Sequence, residues 1–186
     1  MNLDQQKIKS TLGKTSADDN GSQVLESDEP VYDFDEISEE VAAVYRNKYT
    51  LASCDALYIK DERNIFLFEF KNARKSRIGW KQLHCKAYDS VWTLQTSIFP
   101  HLSLNELRER LTMFVIYNDD GVVEREQESP AFDALKAKMA GLADGSDEIL
   151  FRLEIFKGFL YKNIFTVEKD TYMKEYHRQI FSGQCQ

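Results

Sequence analysis

Two neighbouring segments of the chain have the pattern of extended strands, and they carry three charged residues that their pairing would bring together. Asp55 is near the start of the segment CDALYIK, and Glu69 and Lys71 end the segment NIFLFEFK. Successive side chains of a strand point to opposite faces, so Glu69 and Lys71 share a face while Phe70 points to the other. Two carboxylates and an amine on one face are suited to acid-base and metal-assisted chemistry.

The turn between the two segments determines whether Asp55 joins that pair. Both segments are rich in apolar and aromatic residues, and the polar turn Asp61-Glu62-Arg63 between them predicts an antiparallel hairpin. We expect Lys60 to lie opposite Asn64. A loop changed by one residue would send Asp55 to the opposite face. The cross-strand pairs predicted by this register are Ile59 with Ile65, Leu57 with Leu67, and Asp55 with Glu69.

Paired carboxylates indicate a divalent cation. Two carboxylates within about 5 Å repel each other and stay ionised together most easily around a metal ion, and hard oxygen ligands select Mg²⁺ or Mn²⁺ over zinc. A lysine beside the metal can orient or deprotonate an attacking water and offset the charge that grows on a phosphate in the transition state. Asp55, Glu69 and Lys71 therefore predict metal-dependent phosphodiester hydrolysis.

The spacing of these residues resembles that of the PD-(D/E)xK nuclease superfamily. Asp55, thirteen intervening residues and then Glu69-Phe70-Lys71 match its motif, with Cys54 where the motif has proline. The stretch LFEFKN, followed by basic residues and by Lys86-Ala87-Tyr88-Asp89-Ser90, is similar to an uncharacterised bacterial branch of that superfamily. The resemblance covers about residues 37–119. It implies a restriction-endonuclease-like fold, in which a mixed four-stranded sheet has helices on both sides.

The resemblance implies further site residues on the helices that flank the two strands. Many members of the superfamily carry a glutamate on the helix before the aspartate strand. Glu40 projects beside the apolar stripe of the first predicted helix, so we expect it as a third metal ligand with Asp55 and Glu69. The candidates that the resemblance places on the following helix, for contact with the site or with nucleic acid, are Gln82, Lys86 and Tyr88.

Charge is distributed unevenly along the chain, which bears on nucleic acid as a partner. The 186 residues have a net charge of -7, but residues 1–40 hold 11 acidic and 3 basic residues, and the remainder has a net charge of +1. Residues 60–88 have a local excess of five positive charges. We therefore expect a nucleic acid, in particular DNA, as the partner. The residues that could clamp its phosphates are Arg74, Lys75, Arg77, Lys81 and Lys86.

Hydrophobic periodicity predicts an α/β protein with a mixed sheet flanked by helices. Residues 1–30 are polar and unpatterned, which predicts a flexible acidic tail before a nuclease-like domain over residues 31–186. Helices are predicted from residue 37 and over residues 78–99, 104–110, 130–143 and 169–181. Strands are predicted over residues 54–60, 64–71, 111–117, 149–156 and 159–167.

Composition predicts a cytoplasmic protein. No run approaches the roughly 20 apolar residues that cross a bilayer, and the start MNLDQQKIKS lacks the apolar stretch of a secretory signal, so no membrane partner is expected. The three cysteines fit neither a disulfide framework nor a structural zinc site, which indicates a reducing compartment. They are Cys54, Cys85 and Cys185.

Other interpretations of the same residues stay open. An E-x-K pattern on an apolar strand is also typical of an edge ion pair in an unrelated α/β protein. Asp55 also suits a strand entry, and Glu40 a solvated helix position. The small size and the acidic total favour an alternative function, that of a catalytically inactive binding protein on the same fold, such as an antitoxin, an immunity protein or a phage-defence partner. A homodimer is open as well.

Overall fold

The computed structural model describes residues 3, 5–18, 20–45, 51–119 and 149–182. The strands within these ranges are β1 (Lys9–Thr11), β2 (Pro30–Asp33), β3 (Ala56–Asp61), β4 (Asn64–Lys71), β5 (Leu111–Tyr117) and β6 (Asn163–Glu168). The α-helices are α1 (Leu12–Thr15), α2 (Phe34–Val44), α3 (Trp80–Thr93), α4 (Leu104–Arg108), α5 (Lys169–Thr171) and α6 (Arg178–Phe181). Short 3₁₀ helices cover Gln6–Ile8, Lys75–Arg77 and Leu153–Phe156. A π-helical stretch, Leu94–Ile98, continues α3, and another, Tyr172–His177, joins α5 to α6 into one C-terminal helix.

The six strands form one mixed sheet in the order β1-β2-β3-β4-β5-β6. Neighbours from β1 to β4 are antiparallel, and the pairs β4-β5 and β5-β6 are parallel. This confirms the predicted α/β class with a mixed sheet. The sheet is wider than the four strands that the resemblance implies, because β1 and β2 extend it on the side of β3.

Helix α3 crosses between the parallel strands β4 and β5, which a parallel connection requires. Its residues Leu83, Ala87, Val91 and the following Leu94 recur at three to four positions and are all buried. This stripe packs on the sheet and confirms the helix predicted over residues 78–99.

The β3-β4 hairpin has two of the three predicted pairs and a different turn. Asp55 precedes β3, so its predicted pair with Glu69 is not part of the ladder. Leu57 pairs with Leu67, and Ile59 pairs with Ile65. Asp61, rather than Lys60, lies opposite Asn64, and the register shifts between Ile59 and Asp61. The Asp61 carboxylate accepts a hydrogen bond from the Arg63 N–H at 2.7 Å, which closes a tighter turn. Lys60 is absorbed as a bulge, so the pairs nearer Asp55 keep their predicted partners. The correction is therefore confined to the turn.

The alternating side chains of β4 divide the core into two layers. Leu67 belongs to a buried cluster with Leu83 of α3. Phe68 points the other way, where its ring lies 5.8 Å from that of Phe114 and 6.1 Å from that of Tyr172 in the C-terminal helix. Helices therefore cover both faces of the sheet, and Glu69 shares the face of Leu67.

The N-terminal segment is folded, contrary to the prediction of a flexible tail over residues 1–30. Ile8 and Leu12 are fully buried, and Val24 and Leu25 are almost so. Strand β1 pairs with β2, and the Gly13 N–H donates to the Ser27 carbonyl at 2.8 Å. The prediction failed because the helices and the strand between residues 6 and 15 are only three or four residues long, too short for a helical or strand period to be visible in the sequence. The domain therefore includes the described residues before residue 31.

The region after the gap at residues 120–148 differs in part from its prediction. The predicted strand over 149–156 is wrong, because Phe151 and Arg152 adopt left-handed backbone conformations (φ 60° and 57°) and a 3₁₀ helix follows. The strand expected within 159–167 is found as β6, and the helix over 169–181 is confirmed. The helix predicted over 130–143 lies outside the described residues. Among the helices that are described, none has the length and apolar character needed to span a bilayer.

Candidate functional site

Asp55 is fixed at the entrance to β3 by contacts with strand β4 and with the start of helix α2. Its N–H donates to the Phe68 carbonyl at 2.9 Å, and its carbonyl accepts from the Phe34 N–H at 3.1 Å. Its side-chain Oδ2 accepts from the Phe70 N–H at 2.6 Å. Asp55 is therefore tied to the backbone on either side of Glu69, to Phe68 through its own N–H and to Phe70 through Oδ2. Oδ1 is left for another partner.

Glu69 and Lys71 project from the end of β4 on the same face, as the alternation predicted. The Glu69 side chain is completely buried, and its Oε1 lies 2.7 Å from Nζ of Lys71. The Lys71 side chain is 21% exposed, so its ammonium is at the boundary between the buried carboxylate and solvent. The hairpin thus delivers a buried acid and a partly accessible cation to one place.

Lys86 joins the two carboxylates. Its Nζ lies 2.8 Å from Oδ1 of Asp55 and 2.7 Å from Oε2 of Glu69. Helix α3 is held at this distance by a hydrogen bond from the Cys54 N–H to Oγ of Ser90, at 2.9 Å. Asp55, Glu69, Lys71 and Lys86 are called the charged cluster below. Their four formal charges cancel.

Burial and the neighbouring opposite charges have opposite effects on the pKa values of the charged cluster. Burial, reinforced by the negative charge of Asp55, raises the pKa of Glu69 to about 7, although the ammonium groups of Lys86 and Lys71 act to lower it. For Lys86, burial acts to lower the pKa, but the carboxylates of Glu69 and Asp55 outweigh it and hold the pKa above its usual value. Lys86 is therefore a cation at neutral pH.

The first turn of α2 also lies at the site. Asp33 caps this helix by accepting a hydrogen bond from the Glu36 N–H at 3.2 Å, and Asp35 accepts one from the Ser53 hydroxyl. Burial raises the pKa of both Asp33 and Asp35, and the charge of Asp55 raises each further. Asp35 is therefore the α2 acid whose charge is coupled to Asp55, and the sequence did not single it out.

The structure does not bring Glu40 to the charged cluster. Glu40 lies six residues after Phe34, which is about 9 Å further along the helix axis. There it lines a groove with Val41 and Pro100, and its charge acts on Lys7. Helix α2 begins against Asp55, so its first turn approaches the site and its second does not. The expectation that Glu40 is a metal ligand is therefore corrected.

The expected phosphate-binding residues that follow β4 lie near its carboxyl end. Arg74 is half-buried, and Lys75 and Arg77 are exposed within the 3₁₀ helix that follows. The Lys75 N–H donates to Oδ1 of Asp119 at 2.8 Å, which fixes this segment beside the end of β5. Because Lys71 is the last residue of β4, these bases flank the charged cluster along the chain.

The candidates on α3 divide between different sides of the helix. Gln82 is exposed and precedes Lys86 by four residues, which places it one turn away on the same side. Tyr88 packs on Phe156, with 5.0 Å between ring centroids. Tyr88 therefore serves a packing contact, whereas Gln82 lies on the Lys86 side.

The expected base Lys81 lies near the start of α3. Its ammonium is 5.8 Å from the centroid of the Trp80 ring, a cation-π arrangement. Its side chain is exposed, so it is available to solvent and to a phosphate.

The carboxylates of Asp55 and Glu69 fit a divalent cation. One oxygen of each already points at the same positive group, the ammonium of Lys86. Mg²⁺ is commonly held by one or two carboxylates and completes its shell with water and phosphate oxygens. Within the part of the chain that the structure describes, no group of three or more His, Cys, Asp or Glu side chains is arranged for a metal. A metal here would therefore have two side-chain ligands.

Two features of the site escaped the sequence argument. Lys86 was expected as a phosphate clamp, although its place beside the buried Leu83, Ala87 and Ser90 puts it at the edge of the sheet-facing stripe and toward the hairpin. Cys54, where the motif has proline, is completely buried, and burial raises the pKa of its thiol above the usual value. Its free N–H makes the hydrogen bond to Ser90 that a proline could not make.

Comparison of the chain with known protein families, with curated proteins and with solved structures gave no match.

Proposed function

We propose that this protein is a metal-dependent nuclease with a restriction-endonuclease-like fold and a PD-(D/E)xK-type site. The observation that carries the proposal is the meeting of Asp55, Glu69 and Lys71 in one charged cluster at the edge of a buried sheet. The β3-β4 pairing that brings them together was expected from the sequence alone, which makes a chance surface ion pair a poor explanation.

The residues of the cluster would have different roles in hydrolysis. Asp55 and Glu69 would hold Mg²⁺ or Mn²⁺, which supplies Lewis-acid polarisation of the phosphate and an acidified water molecule. Lys71 forms an ion pair with Glu69, and its partly accessible ammonium would orient the attacking water and offset negative charge on the phosphate. The water adds across one phosphorus-oxygen ester bond and leaves a phosphate monoester and a hydroxyl.

The bases beside the cluster support a nucleic acid, and in particular DNA, as the substrate. Lys75 and Arg77 are exposed next to the end of β4, and Lys81 is exposed at the start of α3. Such residues hold phosphates without reading sequence, and the resulting binding weakens as salt increases. The cluster itself has no net charge, so a bound metal ion would make it attractive to a phosphate.

Cleavage of DNA by purified protein tests the proposal. We expect Mg²⁺ or Mn²⁺ to support degradation or nicking, EDTA to stop it, and Lys71→Ala to abolish it while circular dichroism and melting show an intact fold. Lys162→Ala, which removes an exposed lysine at the opposite end of the parallel strands from Lys71, is the matched control and should retain cleavage. Equal activity of the wild type and Lys71→Ala would identify a contaminating nuclease.

A second candidate function is supported by the charge balance of the cluster. Lys86 and Lys71 neutralise Asp55 and Glu69 without any added ion, as expected of a binding protein on a nuclease-like fold that has no catalytic role. Calorimetric titration with Mn²⁺ separates the two functions. Binding that Asp55→Asn removes favours the nuclease, and the absence of such binding favours the binding protein.

A further inference from the structure

We propose that Lys86 is a tethered cation that occupies the metal position of the resting protein, and that the divalent metal must displace it. The inference rests on the nuclease function proposed above and concerns how the same site is controlled. Its consequence is that metal and nucleic acid bind cooperatively, because a phosphate offers the displaced ammonium a new partner.

The contacts of Lys86 show that its ammonium occupies the position that a shared metal would take. Its ammonium contacts Oδ1 of Asp55 at 2.8 Å and Oε2 of Glu69 at 2.7 Å. The other oxygens have different partners, since Oδ2 of Asp55 accepts from the Phe70 N–H and Oε1 of Glu69 pairs with Lys71. Oε1 of Glu69 makes no hydrogen bond, but the two oxygens that converge on one point, and so could share a metal there, are the two that hold Lys86. A metal and the ammonium cannot occupy that position together.

The charges of the cluster disfavour a metal ion while Lys86 stays in place. With Lys86 in place, two carboxylates face two ammonium groups and the cluster is neutral. Adding a divalent cation while both lysines stay would leave a net charge of +2 in a largely buried place, which is unfavourable. Departure of Lys86, or arrival of an anionic phosphate, relieves that excess.

The position of Lys86 allows its ammonium to move away from the carboxylates. Its side chain is 13% exposed, so part of it reaches solvent, and it is a flexible four-carbon chain. Gln82, one turn earlier on the same side of α3, is exposed, which marks that side as open. The freed ammonium can therefore leave the carboxylates without movement of the helix and can contact a phosphate seated at the metal.

This arrangement makes the two ligands depend on each other. Metal alone must break both contacts of Lys86, whereas metal with nucleic acid transfers the ammonium to a phosphate. The coupling is reciprocal, so the metal also increases the affinity for nucleic acid. A free protein with a low affinity for Mg²⁺ is thereby kept inactive until a substrate arrives.

Lysine labelling of the wild-type protein tests the displacement directly. An amine-acylating reagent followed by mass spectrometry reports how accessible each lysine is. We expect saturating Mg²⁺, without nucleic acid, to raise the labelling rate of Lys86 severalfold. The exposed Lys162, at the opposite end of the parallel strands, serves as the internal control, and its labelling rate should not change.

Calorimetry with Mn²⁺ gives a second and independent measurement. Lys86→Gln removes the competing cation, and we expect it to bind Mn²⁺ at least about tenfold more tightly than the wild type in the absence of nucleic acid. Lys162→Gln, at the opposite end of the parallel strands, is the matched control and should bind Mn²⁺ as the wild type does. If Lys86→Gln does not fold, the labelling of the wild type decides.

The outcomes distinguish the two proposals. If Mn²⁺ binds the wild type in a manner that needs Asp55, but Lys86 stays protected and Lys86→Gln gains no affinity, the displacement is wrong and the nuclease proposal stands. If Mn²⁺ binds neither the wild type nor a folded Lys86→Gln, the nuclease proposal fails and the displacement fails with it.

Discussion

The Asp55 carboxylate accepts a hydrogen bond from the backbone N–H of Phe70 at 2.6 Å, across the junction of β3 and β4. The same side chain presents its other oxygen to Lys86 at 2.8 Å. One aspartate thus joins two strands and one helix at the candidate site. Its structural and chemical roles lie on different oxygens, so substitutions can separate them.

Asp55→Asn and Asp55→Ala should differ in stability but agree in function. Asparagine can still accept from the Phe70 N–H, whereas alanine leaves that donor unpaired, which costs about 1–3 kcal/mol. We expect Asp55→Ala to lower the free energy of unfolding by at least about 1 kcal/mol more than Asp55→Asn, as measured in urea. Both should lose Mn²⁺ binding. Equal stability of the two variants would show that the hydrogen bond contributes nothing.

The buried Glu69 predicts a dependence of stability on pH. Its pKa in the folded protein is about 7, against an ordinary value of 4.5. The folded state therefore holds a proton that the unfolded state has released between these values, and stability falls as pH rises through that window. Relative to Glu69→Gln, we expect the wild type to lose up to about 3 kcal/mol of stability between pH 4.5 and pH 8. A constant difference across this range would contradict the burial argument.

His177 predicts a dependence of the opposite sign. Its Nε2 lies 3.0 Å from the Ser27 hydroxyl, and burial lowers its pKa below 6.5. The unfolded state then takes up a proton before the folded state does, so stability is lost as pH falls through about 6.5 and below. The melting temperature of the wild type should therefore decrease more between pH 7 and pH 5 than the melting temperature of His177→Gln.

The folded N-terminal segment predicts a large effect from a residue that sequence reasoning assigned to a flexible tail. Leu12 is completely buried, and removing a buried leucine side chain costs about 2–5 kcal/mol. We expect Leu12→Ala to fall in this range by chemical denaturation. Lys14→Ala, two residues away and exposed, should change stability by less than about 0.5 kcal/mol. If both substitutions had similarly small effects on the free energy of unfolding, the prediction of a flexible tail would be supported instead.

The sequence predicted the parts of this protein that depend on period and pairing. The alternation of β4 placed Glu69 with Lys71, and the pairing of Leu57 with Leu67 was correct even though Asp61 and a bulge changed the turn. Strand alternation is a local property, and a bulge beyond the pairs of interest does not alter them.

What the sequence did not reveal depends on packing between distant elements. Lys86 reaches Asp55 and Glu69 only because α3 crosses back over the hairpin, and no spacing in the sequence encodes that crossing angle. Glu40 was expected at the site, and Asp35 was not considered for it, because helical periodicity shows which face is apolar but not which turn approaches a neighbouring strand.

Crystals soaked with Mn²⁺ provide the most direct test of the central claim, because the anomalous scattering of manganese locates the ion without reference to activity. The account predicts one strong peak bonded to carboxylate oxygens of both Asp55 and Glu69, with the ammonium of Lys86 moved away from them. Full occupancy of Mn²⁺ elsewhere, with Lys86 still bridging the two carboxylates, would contradict it.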